Sequence, residues 1–243
     1  MFANLPLHRL SSVFLEPVSM GNYVIIAVLW LVGFWRQIPR RMAIVAAVVT
    51  ALLLVGSDSR MATISCAVLL LAAPVKRWIP SFAPILAAPI VIAAMFVAVP
   101  LFGLSSGTDD FPGRIAYSVD VFRSFRLEDF AGMSLSRIGT TEDAGFAYLI
   151  NAQSLIVAMA IWATLFVRRF TTPESRYVHF AVAVYLALNL TVSWSLFSIK
   201  TAAMLWFLLG RVVADQKLAA EADSERPAAA GGGFPPGIRG RNA

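Results

Sequence analysis

Polar residues interrupt this chain in short clusters rather than alternating with apolar ones, and they leave seven apolar runs. The runs are Val18–Trp35, Met42–Gly56, Met61–Ala73, Ser81–Phe102, Phe146–Val167, Tyr177–Trp194 and Leu196–Val213. Continuous runs of this kind predict helices, because a backbone in lipid must satisfy its own hydrogen bonds and a β-barrel would show period-two polarity. Trp35, Trp78 and Trp194 fall near run ends, where amphipathic rings sit at a headgroup interface. Glu16 precedes the first run and no small-residue cleavage site follows it, so the start does not read as a secretory signal. The expected fold class is an all-α integral membrane protein with about seven transmembrane helices and one long connection, Gly103–Gly145.

Composition strengthens this reading. The chain is 58% hydrophobic and 14% charged, with a mean hydropathy of +0.73, whereas soluble domains carry about a quarter charged residues. A soluble enzyme with a water-facing shell is excluded. One cysteine, Cys66, and two histidines, His8 and His179, leave no disulfide framework and no metal centre to expect. From Ala214 onward the chain becomes rich in Ala, Gly and Pro, which predicts a disordered tail over 214–243 behind a polytopic domain over 1–213.

The net charge of +6 is explained by where the cations lie. With the N-terminus outside the cytoplasm, thirteen of the twenty Lys and Arg residues fall on inside segments, including Arg36, Arg40, Arg41, Lys76, Arg77, Arg168 and Arg169. Short inside loops carry most of that excess, as the positive-inside rule expects. The N-terminus and the 103–145 loop then lie outside and the C-terminus is cytoplasmic. No basic stripe interleaved with aromatics points to nucleic acid.

Four places are candidates for chemistry. Ser57-Asp58-Ser59-Arg60 joins runs of only 15 and 13 residues. At about 1.5 Å per residue each falls short of a hydrocarbon core roughly 30 Å thick. Asp58 and Arg60 are therefore expected either at the floor of an outward cavity or as a self-neutralising pair at a tight turn. In Phe111–Arg126, Pro112-Gly113 opens a helix with Ile115, Val119 and Phe122 on one stripe; Asp120 and Arg123 are an i, i+3 pair facing water, and Arg114 lies at its start. Glu142 and Asp143 precede the fifth run, where they either hold a sugar hydroxyl or simply favour a helix N-terminus. Arg9 and Glu16 lie ahead of the first run, within reach of the same cavity or as a plain leader.

Taken in order, these elements resemble the C-terminal half of the O-antigen ligase and Wzy-type polysaccharide polymerase family, with exopolysaccharide polymerases nearest. The resemblance rests on Arg9 with Phe14-Leu15-Glu16-Pro17 and Gly21; on the Ser57–Arg60 turn before an apolar helix; and on a long outer loop. That loop carries Arg114, the aromatics Phe122 and Phe125, Gly132 and Glu142-Asp143-Ala144-Gly145. The resemblance implies a bacterial inner-membrane glycosyltransferase joining repeat units carried on undecaprenyl diphosphate at the periplasmic face, without metal or other cofactor. A flippase and chain-length or export proteins are its implied partners. Arg60, Arg114 and Arg9 would clamp the diphosphate, whose oxygens suit the planar guanidinium fork. Asp143, Glu142 or Glu16 would orient or deprotonate the acceptor hydroxyl.

Two departures bear on this assignment. Ligases of the family usually carry a histidine late in the outer loop; Gly103–Gly145 has none, which favours polymerase over ligase. Family members commonly have ten or more spans, so the resemblance implies a truncated gene product, a mis-called start or half of a split protein. The alternatives are a ligase acting on a lipid A core and a non-catalytic transporter or structural subunit. In the latter, Asp58 and Arg60 would gate or pack, and Pro84, Pro89 and Pro100 would be hinges.

Overall fold

The computed structural model describes residues 17–57, 59–107, 110–133, 141, 144–193 and 199–225. Every regular element among them is a helix: α1 (Pro17–Phe34), α2 (Arg40–Ser57), α3 (Arg60–Ala72), α4 (Ala83–Phe102), α5 (Phe111–Arg123), α6 (Leu127–Phe130), α7 (Gly145–Gln153), α8 (Leu155–Phe166), α9 (Pro173–Leu190) and α10 (Ile199–Glu225). Helices therefore fall at each of the seven apolar runs. By length and hydropathy α2 and α4 can each cross a membrane, and the bent α7–α8 pair makes a third if taken as one span. Met20–Phe34 of α1 and all of α3 are apolar but shorter.

Burial explains the layering. α1 and α9 form the centre: Val24, Ile25, Ile26 and Leu29 of α1 and Tyr177, Ala181, Val182 and Tyr185 of α9 are fully enclosed. A helix that is apolar all round needs partners or lipid on every side. α2 instead leaves Met42, Val45, Val48, Leu52 and Val55 exposed along its length, and α4 does the same with Ile90, Val97 and Leu101. Exposed apolar surface on this scale suits lipid or a protein partner better than water.

Local chemistry fixes the helix ends. Ser59 caps α3 by accepting from the Ala62 amide, Asp110 caps α5 by accepting from Gly113, and Thr172 caps α9 by accepting from Ser175. Gly103, in the left-handed conformation, closes α4. α4 runs unbroken through Pro89 and Pro100. Pro89 has no amide proton to give the Ile85 carbonyl, and the Trp162 indole of α8 donates to that carbonyl instead, at 3.0 Å. Trp162→Phe is expected to leave this carbonyl unpaired and to lower stability in detergent by about 1–3 kcal/mol. Thermal unfolding followed by circular dichroism would measure it.

Two sequence expectations are corrected. The run Phe146–Val167 is not one straight helix, because α7 and α8 meet at a bend of 112°. Ser154 makes the corner with φ of 77° and ψ of 156°. Its amide donates to Ile150 to end α7, and its hydroxyl accepts from Val157 to begin α8. This backbone region is nearly reserved for glycine and costs about 1–3 kcal/mol. Disorder is also expected over 214–225, and these residues are helical instead, since α10 continues past Val213 to Glu225. Its ADQKLAAEA stretch, from Ala214 on, is built largely of strong helix formers. Residues 226–243 lie outside the described set.

One end of the bundle gathers cations. Lys76 donates to Glu174 at 3.1 Å, Arg36 lies 4.0 Å from the same carboxylate, Arg176 donates to the Ile79 carbonyl, and Arg211 donates to Gln37. The hydrogen bond from Lys76 is the main reason the Glu174 carboxyl titrates below its ordinary 4.5. A depressed folded pKa makes the unfolded chain bind more protons as the solution is acidified. The stabilisation is therefore complete above 4.5 and is lost as pH falls through the folded value. Melting temperature should drop with acid across that window, and Glu174→Gln should flatten the slope.

Candidate functional site

The opposite end of the bundle collects buried polar side chains. Gly21 of α1 lies against the α3 N-terminus, since a Cβ there would come within 2.8 Å of the Ser59 hydroxyl and 3.1 Å of Ala62. One residue on, the Asn22 side-chain oxygen accepts from the Asn189 amide of α9 at 2.5 Å. The Ser118 hydroxyl of α5 donates to the Thr191 carbonyl just after α9. Gly145, opening α7, packs directly on the Ser193 and Leu190 backbone. Gly132, after α6, lies against the Ser154 corner. The starts of α1, α3 and α7, the end of α9, and α5 thus meet in one region.

Some buried polar atoms in the interior have no partner. Asn151 of α7 is fully buried, and neither atom of its amide has a hydrogen-bond partner; the same holds for the Tyr185 hydroxyl and the Asn189 side-chain oxygen. A buried polar atom left unpaired costs about 1–3 kcal/mol. Asp129, also buried, accepts from the Arg126 backbone amide at 2.6 Å and so closes the first turn of α6.

The residues singled out by sequence fare differently. Arg60 is the first residue of α3, exposed, directly after the Ser59 cap. Arg114 is half-buried in the first turn of α5, whose Ala116, Ser118 and Val119 face inward. Asp120 and Arg123 stand 3.9 Å apart with both side chains more than half exposed, a water-facing pair. Arg9, Glu16, Asp58, Glu142 and Asp143 lie outside the described residues. Thr141 and Ala144, which flank the last two, are both buried and share a backbone hydrogen bond at 2.9 Å.

Chemically, the region offers amides that both donate and accept, hydroxyls, and guanidinium groups. That set suits sugar hydroxyls and phosphate oxygens. Among the described residues no three His, Cys, Asp or Glu side chains come together as metal ligands. His179 instead bonds the Leu165 carbonyl and packs between Phe166 and Phe170. Sequence reasoning missed Asn22, Asn151 and Asn189. The available signal was an asparagine set inside each of three largely apolar runs.

No protein-family model, curated protein or solved structure matches the chain.

Proposed function

We propose that this chain is a polytopic membrane glycosyltransferase that polymerises oligosaccharide units carried on undecaprenyl diphosphate at the periplasmic face. In this reading the seven helical runs cross the inner membrane, residues 103–145 lie in the periplasm, and the cationic end faces the cytoplasm. The observation that carries it is the polar end of the bundle, where Ser59 and Arg60 open α3 beside the buried Asn22–Asn189 pair. Arg60 and Arg114, with Arg9, bind the diphosphate leaving group, and positioned cations of this kind stabilise the charge that develops as the sugar leaves. Glu142, Asp143 or Glu16 orients the acceptor hydroxyl and takes its proton. A flippase delivers the substrate, and chain-length or export proteins take the product.

The test is incubation of purified full-length protein with an undecaprenyl-diphosphate oligosaccharide, followed by gel separation. A ladder of longer glycans is expected; recovery of unextended substrate alone would overturn the proposal. Glycan appearing on an added lipid A core would favour the ligase. The bent α7–α8 pair supports a second reading, a transporter with a broken helix. That reading expects movement of an anionic solute into vesicles with no change in glycan length.

A further inference from the structure

We infer that the cavity at the cationic end of the bundle, between α1, α3 and α9, is a binding site for the headgroup of an anionic phospholipid. The cavity measures about 400 Å³ and has two parts. Val32 and Leu70 give it an apolar wall, while Trp35, Arg36, Lys76 and Glu174 form its polar rim. An acyl chain along the wall and a phosphate at the rim would match both parts at once.

The charges select the occupant. Lys76 and Arg36 converge on a single carboxylate, with Lys76 at 3.1 Å and Arg36 at 4.0 Å from the same Glu174 oxygen. An ammonium has three donors and a guanidinium five, so one carboxylate leaves most of their capacity for phosphate oxygens. The Arg36 side chain is 79% exposed and free to swing onto a ligand. Arg40 and Arg41 begin α2 nearby in the chain, and Arg77 follows Lys76, so the surrounding field is positive. Trp35 is about half exposed beside the rim, as expected for a ring at the headgroup level. A zwitterionic lipid would bring its own cation into this field and gain less.

Glu174 gives the inference a distinctive sign. If these residues only hold helices together, removing any one of them weakens the same network. If they form a lipid site, removing the acid raises binding while removing the bases lowers it. The experiment is native mass spectrometry of the detergent-purified full chain, titrated with phosphatidylglycerol or phosphatidylcholine of matched acyl chains. Phosphatidylglycerol should be retained in preference to phosphatidylcholine. Arg36→Gln, an exposed change that leaves the packing alone, should weaken phosphatidylglycerol binding about fivefold, and Arg36→Gln with Lys76→Gln should weaken it further. Glu174→Gln should strengthen it by a similar factor. Equal retention of the two lipids, or Glu174→Gln falling in parallel with the basic variants, would overturn the assignment. The inference rests on the membrane reading and not on sugar transfer: a glycan ladder without lipid preference would remove this site and leave the enzyme, and the reverse result would do the opposite.

Discussion

Arg60→Ala and Arg114→Ala are each expected to eliminate high-molecular-weight glycan while the protein remains in the membrane at its normal level. In the proposed reaction the leaving group sets the demand. Transfer of a sugar from undecaprenyl diphosphate places negative charge on phosphate oxygens, and a fixed guanidinium meets two of them in one plane. Removing one such donor typically lowers turnover about 100- to 1,000-fold, enough to erase a polymer that needs many successive transfers. For Arg60 the effect should not come through folding. Arg60 is exposed at the first position of α3, and the cap on that helix belongs to Ser59. Surface changes of that sort usually alter stability by no more than about 0.5 kcal/mol. Arg60→Lys keeps the charge and loses the fork, so it should retain short products and lose long ones. The measurement is a glycan gel paired with an immunoblot of the same membranes. Full-length polymer from both alanine variants would remove the arginines from the mechanism.

What the sequence revealed and what it hid follow from the same physics. Apolar runs locate helices in a lipid-facing chain because burial and backbone pairing act over the whole segment. Val18–Trp35 became Pro17–Phe34, Met61–Ala73 became Arg60–Ala72, and Ser81–Phe102 became Ala83–Phe102. The bend at Ser154 was hidden because Gln153-Ser154 is a small polar break in a long apolar run, and nothing in a serine announces a positive φ. Gly132 packs closely against the Ser154 backbone at that corner. The helical stretch 214–225 was hidden for a different reason: a change in composition marks where lipid contact ends, not where a helix ends. Arg60 and the Ser59 cap were legible because a polar turn between short apolar runs is a local pattern. The Asn22–Asn189 pair was not, because its two halves lie far apart in sequence and neither carries a spacing motif.

A second large effect is expected at Gly145, and a matched change at Gly210 should have the opposite sign. Both residues lie in helices, where glycine is usually about 0.5–1 kcal/mol worse than alanine. At Gly210 in α10 an added Cβ meets nothing within 4 Å, so Gly210→Ala should stabilise by about that amount. At Gly145 the added carbon would collide with the Ser193 carbonyl and stand 3.1 Å from the Leu190 Cα. These are backbone atoms and cannot rotate aside, so α7 and the end of α9 must separate. Overpacking of this kind costs about 1–3 kcal/mol or more. Separation also strains the Ser118 bond to Thr191, and it displaces the chain that leads from Glu142 and Asp143 into α7. Gly145→Ala should therefore lower both the melting temperature and glycan synthesis, and Gly145→Val should lower them further. Unfolding in detergent and the glycan gel, run on the three variants together, decide the matter. A Gly145→Ala protein that melts no lower than the parent would mean that α7 does not rest on α9 at this point.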